Sequence, residues 1–116
     1  MKSIFEFEKI YLHRAPVDMR KNIYGLSAIV ASEMRLDLKA SSLFIFCNQR
    51  RSLMKILYFD LSGFALWMKK LEDSKFSWPL NSEQDVVTVT AKDLELLLQG
   101  MNIWTRFKEI EFEHVF

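Results

Sequence analysis

The chain has 116 residues, half of them hydrophobic and 27% charged, which suits one folded domain with one core and excludes a disordered tail or a two-domain protein. Sixteen basic residues against fifteen acidic ones leave a formal net charge of +1, so no global basic excess points to nucleic acid and any such contact must come from local clusters. Cys47 is the only cysteine, which excludes an intrachain disulfide. No apolar run approaches the roughly 18 residues of a membrane span, and Glu6 and Glu8 interrupt the apolar start in a way a signal peptide does not, so a cytoplasmic protein without a membrane partner is expected.

Residues 4–13 alternate loosely through Ile4, Glu6, Glu8, Ile10 and Leu12, which predicts an edge strand. Pro16 breaks it and Asp18 offers a helix N-cap. Met19, Ile23, Leu26, Ile29, Val30 and Met34 then recur at three- and four-residue spacing, predicting a helix over about 18–34. Gly25 inside it costs roughly 1 kcal/mol against alanine, so a close approach is expected there. Runs at 43–48, 53–59, 64–71 and 76–79 are separated by polar gaps of hairpin length at 49–52, 60–63 and 72–75, which predicts an antiparallel meander.

Both faces of that meander carry bulk. Leu53, Leu57, Phe59, Phe64, Leu66 and Met68 share one; Met54, Ile56, Tyr58, Trp67, Phe76 and Trp78 share the other. Both need cover, from helices, from curling into a partial barrel, or from a second subunit. Thr90 as cap, Asp93 three residues on and Gly100 as terminator mark a helix over 90–100 with the stripe Leu94, Leu97, Leu98 and Met101. The apolar tail 102–116 ends in an alternating stretch, 109–115, that reads as a final strand. The expected class is α+β: a four- or five-stranded antiparallel meander sheet covered by helices at about 18–34 and 90–100, in a single domain over 1–116.

Catalytic signals are weak. His13 and His114 lie at opposite ends of the chain, and neither pairs with Cys47 at metal-ligand spacing. Cys47 sits in an apolar run that suits a buried, inert thiol. No Gly-x-Ser-x-Gly elbow exists, and three isolated glycines cannot form a phosphate-cradling loop. The acid groups Glu6/Glu8, Glu72/Asp73 and Glu109/Glu111/Glu113 read as solvated faces rather than a two-metal nuclease site. Neither a catalytic function nor a metal or cofactor is expected.

The basic residues are more suggestive. Arg50 and Arg51 occupy a hairpin tip, Lys55 follows, and Lys69 and Lys70 end the next strand, with Lys75 at the next turn. Pairing from the 60–63 turn sets Leu53 opposite Lys70 and Lys55 opposite Met68, which gathers charge at one end of the sheet. Arg14, Arg20 and Lys21 form a second group at the first helix start, where cations oppose the helix dipole. Phosphate contact explains both groups; so does an ordinary soluble surface balanced by nearby acids. Tyr58, Trp67 and Trp78 interleave with Lys69 and Lys75 like a base-stacking platform, although aromatics in a meander more often form core or interface.

Taken in order, these segments resemble a known family. Pro16-Val17-Asp18-Met19-Arg20-Lys21 followed by Gly25-Leu26 is similar to the start of the TnpB accessory proteins of the insertion-sequence-66 family of bacterial transposable elements. The likeness runs on through Leu43-Phe44-Ile45-Phe46, Arg50-Arg51, Lys55 to Asp60, Gly63-Phe64, Lys69-Lys70-Leu71-Glu72 and Phe76-Ser77-Trp78-Pro79, covering about residues 10–104. The chain departs from the pattern at Asp73-Ser74-Lys75 and in the Asn48-Gln49-Arg50-Arg51-Ser52 hairpin, both lacking a glycine that relatives often carry. The acidic 109–113 stretch is also less basic than many family tails. The resemblance implies a non-catalytic role in transposition beside a separate transposase. Arg20, Lys21, Arg50, Arg51, Lys55, Lys69 and Lys70 are the candidate phosphate contacts, and the partners to expect are DNA, the element's transposase, or a second copy of the chain. The other reading is a protein-interaction module acting through its aromatic sheet face without touching nucleic acid.

Overall fold

A computed structural model describes residues 3–104. Five strands, β1 (Lys9–His13), β2 (Ser42–Cys47), β3 (Leu53–Asp60), β4 (Gly63–Lys70) and β5 (Val86–Thr88), form one sheet in the order β4-β3-β2-β1-β5. The central β2 is an unbroken run, Ser-Leu-Phe-Ile-Phe-Cys, buried at every position, as a strand covered on both faces should be. β2, β3 and β4 make the expected meander, with Leu53 opposite Lys70 and Lys55 opposite Met68.

The α+β class holds, with a mixed rather than purely antiparallel sheet. β1 and β2 run parallel, Ile10 beside Leu43 and Leu12 beside Ile45, because the intervening helix carries the chain back across the sheet. β1 is therefore internal and not an edge. β5 lies on its outer side, Leu12 opposite Val87. Residues 4–6 form a 3-10 turn instead of extending that strand. The expected fourth meander strand at 76–79 does not form; Pro79 has no N–H for a ladder, and the segment instead drops Phe76 and Trp78 into the core. β5 has three residues, too few to show an alternating pattern in the sequence. The strand expected over 109–115 lies outside the described residues.

Two helical elements supply the cover. α1 (Ile23–Ala28) continues as a π-helical turn, Ile29–Met34, which ends at Arg35 in the left-handed region. It starts at Asn22, not Asp18, whose carboxylate is taken by Arg20. Leu26, Ile29, Val30 and Met34 pack on Phe44, Phe46 and Leu57. The close approach at Gly25 is to the stem of Lys21, 3.1 Å from where a Cβ would stand. α2 (Ala91–Leu98) opens on a capping box, in which Thr90 Oγ1 accepts from Asp93 N at 3.1 Å and Asp93 accepts from Thr90 N at 3.2 Å. Gly100, with φ at 84°, ends it. Leu94 and Leu97, with Phe76, Trp78 and Ile103, cover Leu43, Ile45, Met54, Ile56 and Tyr58 on the opposite face. Helix cover on both faces thus accounts for the bulk on β2 and β3, while Met68 on the edge strand β4 stays 58% exposed. Among the described residues no helix is long and apolar enough to cross a membrane.

Candidate nucleic-acid interface

Parallel pairing of β1 with β2 brings the loops that follow them, 14–22 and 48–52, to the same end of the sheet. Antiparallel pairing puts the start of β3 and the end of β4 there too. Backbone bonds lock the segments together: Val17 N donates to Cys47 O at 2.9 Å, Leu71 N to Ser52 O at 2.8 Å, and Phe76 N to Arg51 O at 2.7 Å. Loops at the carboxyl ends of parallel strands commonly carry ligand sites.

The 48–52 turn is organised by Asn48. Its Oδ1 accepts from Ser52 N at 2.9 Å and Leu53 N at 3.1 Å, its Nδ2 donates to Ser52 Oγ, and its carbonyl accepts from Arg51 N. That closure holds Arg51 at φ 58°, in the left-handed region that favours glycine. In the facing loop, Asp18 Oδ1 accepts from Arg20 N at 2.9 Å, and both carboxylate oxygens accept from the Arg20 guanidinium, the closest at 2.6 Å. These bonds hold the Asp18 carboxyl at about 2, below its ordinary 3.8.

The expected phosphate contacts divide by environment. Lys55 is 6% exposed and donates to Met19 O at 2.7 Å and Lys21 O at 2.9 Å. It ties the 16–21 loop to the sheet. Lys69 donates to Leu98 O at 2.8 Å, a carbonyl at the C-terminus of α2 where the helix dipole favours a cation. Arg20 is exposed but neutralised by Asp18. Lys21, Arg50 and Lys70 are exposed and Arg51 is half-buried, and none of them has a carboxylate within ion-pair distance among the described residues. Arg14, from the same loop, pairs with Asp85 at 2.8 Å.

Two neighbouring clefts open on this end. The outer one, about 710 Å3, runs between Val17 and Met19 on one side and Gln49 and Arg50 on the other. The inner one, about 230 Å3, is bounded by Pro16, Gln49, Arg51, Trp78 and Leu80, with Cys47 at its lining. Burial pushes the Cys47 thiol up to about 12, so it is an inert wall rather than a nucleophile. His13 is buried against the π-helical turn, with Nδ1 2.9 Å from Ala15 O and Nε2 3.2 Å from Glu33. It braces the loop after β1. Tyr58 and Trp78 are core side chains and Trp67 is half-buried against them, which removes the exposed stacking platform. Among the described residues no three of His, Cys, Asp and Glu converge as a metal site would need.

A family profile described as "IS66 Orf2 like protein" matches residues 8–108. The chain belongs to the IS66 Orf2-like family. It is similar to the uncharacterized protein y4jC of Sinorhizobium fredii (strain NBRC 101917 / NGR234), 32% identical over 100 residues that span 86% of this chain and 84% of the relative. It is also similar to the uncharacterized protein y4hO of the same strain, 27% identical over 94 residues, 81% of each chain. No solved structure matches. As an IS66 Orf2-like protein the chain is associated with an insertion sequence. Its Asp18 and Met19 lie in the loop beside the clefts and Trp78 lines the inner one. Trp78 is followed by Pro79, which is buried, while Asp60 and Gly63 close the β3–β4 hairpin at the far end and Gly25 lies in α1.

Gln49 and Leu80 were not singled out in the sequence. An exposed glutamine beside a turn and a leucine after a proline carry no signal until the fold sets them on one cleft.

Proposed function

We propose that this protein is a non-catalytic accessory factor for transposition, gripping the phosphate backbone of DNA with the cationic end of its sheet while the element's transposase performs cleavage. One observation carries the reading. Lys21, Arg50, Arg51 and Lys70 come from three separate segments to one end of the sheet without a carboxylate partner among the described residues. Near-neutrality of the whole chain therefore conceals a local excess. Lys55 and Lys69 support the grip from beneath by fixing the loop and helix end that frame it.

Cations that replace condensed counterions make log affinity fall by about 0.9 per contact with log salt. One phosphate on each of the four residues gives a slope of about −3.6 on duplex DNA. Arg50→Gln with Arg51→Asn should halve it to about −1.8; asparagine is chosen because it tolerates the left-handed backbone at 51. Binding without salt dependence, or an unchanged slope in the double variant, would count against DNA contact at this end. The reading as an interaction module with an aromatic sheet face finds less support, since Tyr58 and Trp78 are committed to the core.

A further inference from the structure

The inner cleft differs in chemistry from the surface around it. Its walls are apolar: Pro16, Leu80 and Trp78, whose single polar atom is already bonded to His13 O at 3.2 Å and which therefore offers the cleft only carbon. Its rim is polar. Gln49 is exposed, with its amide unbonded among the described residues, and Arg51 has no carboxylate partner. Arg14, also at the rim, is held by Gln84 O and Asp85. At about 230 Å3 the space falls below the roughly 300–1,000 Å3 of pockets that enclose a whole drug-sized ligand. It suits a single planar ring system.

Carbon walls, one amide that can donate and accept at an edge, and a cation at the mouth match a ring with polar edges and an attached phosphate. From this we infer that the inner cleft receives one unpaired nucleotide base, with the exposed Pro16 and Leu80 against its faces, the buried Trp78 at the floor, Gln49 reading its edge, and Arg51 on its phosphate. The inner and outer clefts share Pro16, Asn48 and Gln49, so the adjoining backbone has a path outward past Arg50. A base paired within a duplex cannot enter, which makes the site selective for frayed, displaced or single-stranded DNA. This assignment rests on the DNA-binding reading above and adds the form of DNA recognised.

The test uses the full chain with a short single-stranded oligodeoxynucleotide carrying 2-aminopurine, the matching duplex, and deoxyadenosine monophosphate as competitor. The single strand should bind at least about fivefold more tightly than the duplex, with quenched 2-aminopurine fluorescence, since loss of one base stack weakens binding by roughly 5- to 150-fold. Gln49→Ala with Leu80→Ala should weaken single-strand binding by about fivefold or more and leave the salt slope unchanged. Both positions are exposed, so the variant should retain the wild-type unfolding transition. Single-strand binding with an unquenched probe, or a Gln49/Leu80 variant indistinguishable from wild type, overturns the base site while leaving backbone contact intact. Failure to bind either form of DNA overturns both. Competition by the monophosphate at parity with the oligonucleotide supports the cleft chemistry with a free nucleotide as occupant.

Discussion

Arg51 combines a strained backbone with an uncompensated charge, and a single change separates the two. Its φ of 58° is imposed by the bonds that Asn48 makes across the turn, and a non-glycine residue in the left-handed region costs about 1–2 kcal/mol. Glycine removes that strain but adds back roughly 0.5–1 kcal/mol of unfolded-state entropy. Arg51 makes no side-chain hydrogen bond among the described residues, so little else is lost. Arg51→Gly should therefore stabilise the protein by about 0.5–1 kcal/mol, raising Tm by about 2–4 °C for a chain of this size. It should simultaneously flatten the salt dependence of DNA binding by about 0.9. Arg50→Gly is the control: it removes the same charge at a position without positive φ and should lower Tm slightly while flattening the slope equally. Thermal unfolding followed by circular dichroism, beside salt titrations of binding, reads both effects. An Arg51→Gly protein that melts below wild type, or together with Arg50→Gly, would refute the strain argument; an unaltered salt slope would refute the charge argument.

Lys55→Met leaves the carbonyls of Met19 and Lys21 without their donor and should destabilise the protein by about 2 kcal/mol in urea unfolding, with the salt slope nearly unchanged because this ammonium is not a surface contact. Asp18→Asn keeps the acceptor for Arg20 N while releasing the Arg20 guanidinium, so the salt slope should steepen by about 0.9. In the wild type, the Asp18 carboxyl carbon should titrate by NMR near 2 rather than 3.8. A depressed native value means that its contribution to stability is fully present above about pH 4 and is lost as pH falls toward 2; Arg20→Gln should move the midpoint back toward 3.8. Thr90→Ala removes one half of the α2 capping box and should cost about 1 kcal/mol, whereas Thr90→Ser should cost little.

Local energetics are written in short stretches of chain, and there the sequence was readable. Thr90, Asp93 and Gly100 bound α2 because capping and left-handed termination depend on a few neighbouring residues. The 49–52 and 60–63 turns set the β2–β3–β4 register because a hairpin loop leaves little freedom in strand pairing. The family likeness followed from the order of such segments. Asp18 pairs with an arginine rather than capping the helix, because Arg20 is equally local and its guanidinium donates to both carboxylate oxygens.

The remaining features depend on contacts between residues far apart in the chain. No pattern within 9–13 could say that β1 would lie parallel to β2 with β5 on its outer side, since three residues at 86–88 complete the arrangement. A lysine or arginine reads the same in the sequence whatever will surround it, yet the fold sends Lys55 under two carbonyls and Lys69 to a helix end while leaving Lys21, Arg50, Arg51 and Lys70 without a carboxylate partner among the described residues. The clefts arise the same way: Pro16, Gln49 and Leu80 become neighbours only when β1 and β2 end on the same edge. Propensity acts over a few residues, whereas burial and charge compensation are settled by whichever distant groups the sheet brings alongside.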